Sequence, residues 1–349
     1  MRVLLTGGAG YIGSHTAVNL ISGGNEVLLY DNLSNSDASV IDGIAAITGV
    51  KPTLLKGDVL DESGLVNAIE EFKPDAVIHF AGLKSVKESS LKPLEYYATN
   101  VGGIITLLRA MLKTGVNNVV FSSSATVYDS RQKMPVDENG IVGNAANPYG
   151  ETKIICEKIL ADIWRRYSLN VTILRYFNPI GAHPSAMIGE NPVYPNNLAP
   201  YITEVALGKR EYLGVFGNDY PTVDGTGVRD YIHVCDLAEG HSLALKNMDG
   251  LKVYNLGTGK GSSVLEVLRA FCDVEERDIP YRIMPRREGD VAELVACCDK
   301  AKKELGFAPV YNLTDMARSC LAYARKNFSG KIKEHPKFKV RCIIYVSFP

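Results

Sequence analysis

The sequence predicts an α/β fold, in which a doubly wound parallel sheet is joined to a smaller C-terminal α/β domain. Two observations support this prediction. Short runs of Val, Ile and Leu, such as "RVLLT", "EVLLY" and "NNVVFSSS", recur over the first 180 residues, and longer segments with helical periodicity separate them. Strands that are apolar on both faces and separated by helices are typical of a parallel sheet covered on both sides.

The elements follow in order along the chain. "RVLLT" precedes a helix over 11–22, "EVLLY" precedes a loop, "PTLLKGD" precedes a helix over 61–72, "DAVIHFAG" precedes a helix over 94–114, "NNVVFSSS" precedes a helix over 148–167, and "VTILRYFN" is the next strand. The Pro- and Asn-rich stretch "GAHPSAMIGENPVYPNNLAP" is then too long for a simple connection. We therefore predict one domain over 1–180, a second mainly over 181–325 with segments returning to the first, and an atypical tail over 326–349.

Composition excludes several classes of partner. The chain has 349 residues and a formal charge of -1, which argues against a nucleic-acid or membrane-surface footprint. Its opening, "MRVLLTGGAG", runs straight into a strand, and no apolar stretch approaches the ~20 residues that span a bilayer. The seven cysteines show no C-x-x-C spacing, so we expect reduced thiols and no metal site. We predict a cytoplasmic protein.

A glycine-rich turn follows the first strand. In "VLLTGGAGYIGSHTAVNL" the spacing Gly8-x-Gly10-x-x-Gly13 overlaps a second one that begins at Gly7. Glycines permit a tight turn, close approach of the backbone to a pyrophosphate, and close packing of the next helix. The free N–H groups and the positive dipole end of that helix then face the phosphates. Because the motif lies between a strand and a helix, it predicts a dinucleotide-binding Rossmann domain.

Asp31 closes the second strand, "EVLLYDN", and favours one of the two nicotinamide dinucleotides. It lies at about the offset where a carboxylate accepts hydrogen bonds from both ribose hydroxyls, and its charge would repel a 2′-phosphate. We therefore predict NAD rather than NADP, although Asp31 could merely start the loop "DNLSNS". Asp58, at the end of "LLKGD", is either a contact to the adenine amino group or a turn residue.

The heptapeptide "NPYGETK" predicts the start of a catalytic helix. Asn147 can cap it, and Pro148 suits its first turn because the missing N–H would have had no partner. Tyr149 and Lys153 then lie one turn apart on one face. We expect the ammonium to lower the pKa of the phenol, which can then take a proton from a substrate hydroxyl while hydride leaves the same carbon. Ser124, at the end of "NVVFSSS", either orients the substrate oxygen or simply ends its strand.

Taken together, these stretches resemble the extended short-chain dehydrogenase/reductase family, and within it the nucleotide-sugar 4-epimerases. The resemblance covers roughly residues 1–325 and rests on "VLLTGGAGYIGSHT", "DNLSNS", "IHFAGLKSVKES", "PLEYYATN", "FSSSATVY", "NPYGETK", "LRYFNPIGAHPS", "NNLAPYI", "FGNDYPTVDGTGVRDYIHVCDLAEGH", "YNLGTGKGSSVLEV" and "RREGDVA". It implies reversible inversion at C4 of UDP-galactose and UDP-glucose in galactose metabolism. The implied route is a 4-keto sugar, formed by transient hydride transfer to tightly bound NAD.

The resemblance also implies two sets of contacts. Besides Gly7, Gly10, Gly13, Asp31 and Lys153, the cofactor would meet Tyr11, Ile12, Asn32, Asn35, Asp58, Val59, Phe80, Ala81, Gly82, Lys84 and Phe177. The UDP-sugar would meet Ser124, Tyr149, Asn178, Asn197, Leu198, Phe216, Arg229, Tyr231, Arg287, Asp290 and Leu294. Arg229 and Arg287 also make independent sense, since a diphosphate needs cationic donors, although "RREGD" could be a solvated loop.

Two residues and the C-terminal tail depart from the family pattern. Thr99 stands where the family often has an Asn that touches the cofactor, so it is left out of the predicted site. Leu294 stands where a bulky Tyr restricts some members to unsubstituted hexoses and a smaller residue admits N-acetylated ones, which leaves the sugar range open. The tail "KIKEHPKFKVRCIIYVSFP" resembles nothing in the family.

Other functions compete with this interpretation. A UDP-N-acetylhexosamine 4-epimerase differs only in its sugar. A nucleotide-sugar 4,6-dehydratase has an adjacent Asp and Glu just before a Val-Tyr pair, where this chain has Ala125 and Thr126. A non-enzymatic NAD-binding regulator is the third alternative. The resemblance further implies a homodimer formed through a helix bundle, for which "PLEYYATNVGGIITLLRAML" and the helix over 148–167 are the candidates.

Overall fold

Strands and helices alternate along the chain. In the computed structural model the described residues are 1–129, 131–191, 195, 197–287 and 289–328. The strands in these ranges are β1 (Arg2–Thr6), β2 (Glu26–Asp31), β3 (Thr53–Lys56), β4 (Ala76–His79), β5 (Asn118–Ser124), β6 (Asn170–Tyr176), β7 (Asn178–Ile180), β8 (Leu213–Phe216), β9 (Val228–His233), β10 (Leu251–Leu256), β11 (Gly261–Ser263), β12 (Tyr281–Met284) and β13 (Glu293–Leu294). The helices are α1 (Tyr11–Ser22), α2 (Val40–Thr48), α3 (Glu62–Phe72), α4 (Val86–Leu91), α5 (Pro93–Tyr96), α6 (Gly102–Thr114), α7 (Pro148–Tyr167), α8 (Leu198–Ala206), α9 (Val234–Leu245), α10 (Val264–Glu275), α11 (Asp299–Leu305) and α12 (Leu313–Phe328), with a π-helix at Tyr97–Val101.

The main sheet has seven parallel strands in the order β10-β6-β5-β4-β1-β2-β3. The chain moves outward from β1 to β3 and then returns to β4 on the other side of β1. This reversal makes a crevice between β1 and β4 at the carboxyl ends of the strands, where open α/β sheets bind ligands. The predicted doubly wound fold is confirmed.

Both faces of this sheet are covered by helices. On one face, β1 contributes Val3 and Leu5 to a core that α1, α2 and α9 complete. On the other face, Leu4 joins a core with residues of α3, α6 and α7. Alternate residues of one strand thus enter opposite cores, which explains the continuous apolar runs in the sequence.

The sequence prediction was wrong at two places in this region. The segment after β2 contains α2, where we predicted a loop, because Ile41 and Ile44 reach the core beside α1. The predicted helix over 94–114 is divided into α5, the π-helix and α6, and α4 precedes it. A short apolar helix gives too little periodicity to be recognised without its packing partners.

A second group of elements lies C-terminal to the main sheet. Strand β9 pairs with β7, β11 and β13, and residues of α8, α10 and α12 form a third core beside these strands. Strand β10 instead joins the main sheet beside β6, and α9 packs on α1. The division at residues 180 and 325 stays a prediction.

Helix α12 continues to Phe328, so the first three residues of the predicted tail are helical. Residues 329–349 of the tail lie outside the described residues. Every helix in the described ranges is too short or too polar to cross a bilayer.

Candidate active site

The glycine turn between β1 and α1 is packed too tightly for side chains. Gly7 has a φ of 69°, and a Cβ placed on it would lie 2.6 Å from the backbone nitrogen of Ala81. A Cβ on Gly13 would lie 2.6 Å from the carbonyl oxygen of Gly7. Gly10 caps α1 without a side-chain hydrogen bond, and no acidic residue stands in the first turn. The N-terminus of α1 is therefore open to an anion such as a pyrophosphate.

Asp31 joins the end of β2 to this turn. One carboxylate oxygen accepts a hydrogen bond from the Ala9 N–H at 3.0 Å, and the other accepts from the Leu33 N–H and the Ser36 hydroxyl, both at 2.9 Å. The residue both shapes its loop and faces the glycine turn. The two interpretations of Asp31 that we considered from the sequence are compatible.

A second polar pair lies at the neighbouring strand ends. The Asn32 amide donates to the Asp58 carboxylate at 3.0 Å, and Asn35 lies exposed in the same loop. The Val59 side chain, in contrast, is buried in the core with α3 and α6. Val59 can therefore meet a cofactor only through its backbone.

The loop after β4 forms the other wall of the crevice. The N–H groups of Phe80 and Ala81 both donate to the Thr6 carbonyl, at 2.9 and 3.0 Å, which holds this loop against the glycine turn. Gly82 follows in the exposed part of the loop, and the ammonium of Lys84 pairs with Glu190 at 2.8 Å. Four residues of this loop are among the predicted cofactor contacts: Phe80, Ala81, Gly82 and Lys84.

The first residues of α1 link the crevice to the later part of the chain. The Tyr11 hydroxyl donates to the carbonyl oxygen of Gly181 at 2.6 Å, just beyond β7. Ile12 packs against the core beside β1. The pKa of Tyr11 is raised well above its ordinary value by burial and by the charge of Glu190.

Asn100 is a site-supporting residue that sequence reasoning missed. It is buried in the π-helix, one position after Thr99. Its side chain accepts from the Leu83 N–H at 2.8 Å and donates to the Leu83 carbonyl and the Thr152 hydroxyl, both at 3.0 Å. It thus ties the loop after β4 to α7. The break in helical periodicity at "YYATN" was the available signal, since π-segments are frequent at functional sites.

Helix α7 begins as the sequence predicts. The Asn147 side chain accepts from the Gly150 N–H at 3.0 Å, and Pro148 occupies the first helical position. The Lys153 ammonium lies 5.8 Å from the centre of the Tyr149 ring and donates to the Ser122 carbonyl at 2.7 Å. Ser124 is close enough to Tyr149 to act on the pKa of the phenol. The three predicted catalytic residues are therefore together at the end of β5.

Burial decides the protonation of this group. It raises the pKa of Tyr149, and the nearby Ser124 only partly opposes this effect. Burial also lowers the pKa of Lys153 to about 8. Our expectation of a lowered pKa for Tyr149 is thus wrong for the protein by itself, because burial disfavours the phenolate and the Lys153 ammonium is bonded to a backbone carbonyl.

Phe177 and Asn178 lie between the catalytic group and the second set of elements. Phe177 follows β6 and is buried in a small apolar cluster, against which Leu294 packs. Asn178 opens β7 and is the register partner of Tyr231 in β9. Burial raises the pKa of Tyr231 to about 12, so it stays a neutral phenol.

An arginine pair lies beside Tyr231. Arg229 is the register partner of Leu294, and its guanidinium lies 3.9 Å from the Asp290 carboxylate. Arg287 also contacts Asp290, at 2.9 Å, and stacks over the Phe216 ring at 4.6 Å. Two guanidinium groups around one carboxylate leave a net positive charge, which suits a diphosphate.

Asn197 and Leu198 begin α8. The Asn197 side chain does not cap the helix but donates to Glu190 at 2.8 Å, and Leu198 packs against the third core. The Glu190 carboxylate therefore contacts both the Asn197 amide and the Lys84 ammonium. The residues predicted from the sequence lie in strands or at their ends, in the loops that follow them, or in the first turns of α1, α7 and α8, and which of them contact a ligand stays a prediction.

A cavity of about 590 Å³ lies elsewhere, near the start of β5, and is lined by Ile69, Glu70, Lys73, Pro74, Asp75, Thr114, Gly115, Val116, Asn117 and Asn118. None of the predicted site residues is among them. Because the strand ends, the glycine turn and the reactive side chains all converge at the other edge of the sheet, that edge is the better candidate for the active site.

Known proteins share this architecture and sequence. Residues 4–320 match the family model described as GDP-mannose 4,6 dehydratase. The UDP-glucose 4-epimerase of Bacillus subtilis is 50% identical over 335 residues, which are 95% of this chain and 98% of that protein. The crystal structure of UDP-glucose 4-epimerase from Bifidobacterium longum in complex with NAD+ and UDP has a TM-score of 0.91 at 46% identity and covers 94% of this chain and 99% of its own. The crystal structure of UDP-glucose 4-epimerase from Stenotrophomonas maltophila, with bound NAD and formylated UDP-arabinopyranose, has a TM-score of 0.91 at 48% identity. It covers 93% of this chain and 98% of its own. The chain belongs to the UDP-glucose 4-epimerases, within the wider family described as GDP-mannose 4,6 dehydratase.

Proposed function

We propose that this protein interconverts UDP-galactose and UDP-glucose by inverting C4, as an NAD-dependent isomerase. The single observation that carries the proposal is the placement of Tyr149, Ser124 and Lys153 at the same edge of the sheet as the glycine turn, in a chain that is 50% identical to a UDP-glucose 4-epimerase. A hydride acceptor in the crevice and a phenol at the strand end are the two components that removal of hydrogen from a secondary alcohol requires.

The residues present fit NAD. The turn at Gly7 and Gly13 leaves no room for a Cβ, which is the property that lets a pyrophosphate approach the backbone. Asp31 presents a carboxylate at the end of β2, where the adenine ribose of a dinucleotide lies in this fold. NAD, when bound, supplies the hydride acceptor and donor and a positively charged ring.

The protein's own groups handle the proton and the orientation. Tyr149 takes the proton of the sugar 4-hydroxyl and later returns it, and Ser124 orients the same oxygen. Lys153 supplies a positive charge beside the phenol. Because burial alone raises the pKa of Tyr149, the phenolate also depends on positive charge from the cofactor.

The diphosphate end of the substrate would lie at the arginine pair. Arg229 and Arg287 can exchange their contact with Asp290 for phosphate oxygens, and Phe216 supports the second guanidinium. Anchoring the substrate through its diphosphate leaves the sugar free to present either face, which an inversion at C4 requires.

Dehydration, the reaction in the family model's description, is not supported. Eliminating water from the sugar needs an additional acid and base. At the corresponding position Ala125 is buried and apolar, and the Thr126 hydroxyl donates to Ser124 at 3.0 Å. Neither side chain can serve as the acid or the base.

A proton NMR time course of UDP-galactose with the purified protein tests the proposal, with no NAD added. Growth of the UDP-glucose anomeric signal to a stable mixture would establish both the epimerisation and a cofactor retained through purification. An unchanged spectrum, even after NAD is supplied, would contradict it. A protein that retains NAD but stays inert towards UDP-sugars would instead support the NAD-binding regulator.

Leu294 favours a second candidate activity, the epimerisation of N-acetylated UDP-sugars. It lies beside Arg229 in the sheet and packs against the cluster of Phe177, so it stands between the diphosphate end and the catalytic end of the site. A leucine occupies less volume there than a tyrosine. The smaller side chain would leave space for the acetamido group of an N-acetylated sugar.

The variant Leu294→Tyr is expected to narrow the sugar range. We expect kcat/KM for UDP-N-acetylgalactosamine, relative to UDP-galactose, to fall at least about tenfold, the usual effect of filling a pocket by a few atoms. Steady-state kinetics with both substrates measure this ratio, and Leu294→Ser should move it the other way. An unchanged ratio in both variants would show that Leu294 does not limit the sugar.

We propose a homodimer formed through the helices over 86–114 and α7. Leu91 and Leu94 leave 74% and 79% of their surface exposed, and Val86, Tyr97 and Ile105 extend this apolar surface. Helices α4 and α5 both pack on α7, so the surface is continuous with the catalytic helix. A second copy would bury leucines that a monomer leaves in water.

Leu94→Glu is expected to weaken the dimer, because a carboxylate would replace an apolar contact. The dimer Kd should rise at least about tenfold. Light scattering during gel filtration measures the mass, and Val310→Glu, at a position that is 76% exposed outside these helices, is the matched control. A wild-type protein that is monomeric at all concentrations would contradict the proposal.

We also propose a cytoplasmic location. Cys156, Cys235, Cys272, Cys297, Cys298 and Cys320 are all free thiols in the described part of the chain, which is usual in a reducing compartment. Cell fractionation followed by immunodetection tests this location.

A further inference from the structure

Glu157 stands on the same helix face as the two reactive side chains. It follows Lys153 by four residues in α7, as Lys153 follows Tyr149, so the three form one stripe. It pairs with Arg175 at 2.7 Å, and the two side chains expose only 9% and 6% of their surface. A buried ion pair is often no more stabilising than apolar residues of equal volume, so the position of this one calls for another explanation.

Three consecutive serines of β5 meet this stripe. The Ser122 carbonyl accepts from Lys153 at 2.7 Å, the Ser123 hydroxyl donates to Glu157 at 2.5 Å, and Ser124 is close enough to Tyr149 to act on its pKa. Each of these three side chains of α7 thus lies next to one residue of the strand. A displacement of the helix along β5 would disturb all three contacts together.

Arg175 holds the Glu157 carboxylate from the neighbouring strand. It lies in β6 as the register partner of Ser123. Its Nε donates to one carboxylate oxygen at 3.1 Å and its Nη2 to the other at 2.7 Å, while Nη1 donates to the Tyr128 hydroxyl at 3.0 Å. Such a bidentate contact fixes the carboxylate in both position and orientation.

We propose that Glu157 is a positioning residue for the epimerase reaction: held by Ser123 and Arg175, it locks α7 onto β5 and keeps the ammonium of Lys153 charged beside Tyr149. This inference rests on the proposed function, because the charge on Lys153 matters to the reaction only if Tyr149 exchanges the substrate proton. In this role Glu157 acts through Lys153.

The charges around Lys153 support this role. The titratable groups that act on Lys153 or contact it are Tyr149, Cys156 and Glu157 of α7 and His79 of β4. In β6, Arg175 acts on Glu157 and Tyr176 on Tyr149. Burial lowers the pKa of His79 to about 3 and raises that of Cys156 to about 11, so both are neutral near pH 7. Among these described groups Glu157 is therefore the anion that favours the charged form of Lys153, against burial, which lowers its pKa to about 8.

The test is the pH dependence of kcat for UDP-galactose in Glu157→Gln, Glu157→Asp and Ser123→Ala. Above its optimum pH, kcat falls with rising pH, and this fall is the alkaline limb of the pH profile. Loss of the carboxylate charge in Glu157→Gln should move this limb to lower pH by about one unit, because Lys153 then loses its proton at a lower pH. Glu157→Asp keeps the charge and Ser123→Ala removes only the hydroxyl bond, so both should be slower but keep the wild-type limb. The phenolate absorbance of each variant, minus that of its Tyr149→Phe counterpart, gives a readout independent of turnover.

A second variant keeps the proposal falsifiable if Glu157→Gln is unstable. Arg175→Gln leaves the carboxylate less neutralised, so its alkaline limb should move to higher pH, opposite to Glu157→Gln. A wild-type limb in either folded variant, with a loss of rate alone, would reduce Glu157 to a structural contact, as would failure of both variants to fold. Failure of the proposed function is distinguishable, because the wild-type protein would then be inactive.

Discussion

Replacing Tyr149 with phenylalanine is expected to lower kcat for UDP-galactose by roughly a thousandfold, within the range that general acid–base catalysis contributes. The phenol hydroxyl is the group that exchanges the proton of the sugar, and the variant keeps the ring that packs at the start of α7. Retention of NAD and the affinity for UDP should therefore change little. The NMR time course measures the rate, and absorbance after desalting measures the cofactor.

The pH dependence follows from the same residue. The rate of the wild-type protein should rise with pH as Tyr149 loses its proton, because the positive charge of bound NAD counteracts the burial that raises the pKa of this phenol. It should fall again as Lys153, whose pKa burial lowers to about 8, loses its charge. The rising limb should disappear from the residual activity of Tyr149→Phe.

Tyr167→Phe is the matched control, because Tyr167 ends the same helix and is exposed. It should leave the rate unchanged. If Tyr149→Phe instead retained activity within tenfold of the wild type, another group would have to exchange the proton, and the role given to α7 would be wrong.

Gly13→Ala is expected to abolish tight retention of NAD. The added Cβ would lie 2.6 Å from the carbonyl oxygen of Gly7, so the turn and α1 must move apart where the pyrophosphate would lie. We expect the fraction of purified protein that carries NAD to fall at least tenfold. Overpacking of this kind should also cost about 1–3 kcal/mol of unfolding free energy.

Gly23→Ala in the same helix is the matched control for that variant. Gly23 ends α1 with a φ of -80°, and a Cβ there would have its nearest contacts at 3.4 Å. It should keep both NAD and stability. The ratio of cofactor to protein absorbance and thermal unfolding distinguish the two variants, and full NAD retention by Gly13→Ala would exclude the glycine turn as the pyrophosphate site.

The local parts of this protein were predictable from its sequence. Helix α7 has the predicted bounds, 148–167, because Asn147 and Pro148 act on the first turn directly, whatever the rest of the chain does. The glycine turn and the carboxylate of Asp31 are equally local, since each follows a strand that the apolar runs identify. Helix α2 was missed because its short apolar stretch becomes a helix only through burial against α1.

Long-range contacts decided the parts of the site that the sequence did not predict. Asn100 reaches Thr152 across 52 positions, and Glu157 meets both Ser123 and Arg175, which precede and follow it on separate strands. No spacing rule connects residues that only the sheet brings together. The sequence by itself determined the fold class, the dinucleotide turn and the catalytic helix, because their signals are periodic or local. The tertiary structure alone decided that the pKa of Tyr149 is raised rather than lowered and that Glu157 meets Ser123 and Arg175, because burial and long-range contacts depend on every element packed around a group.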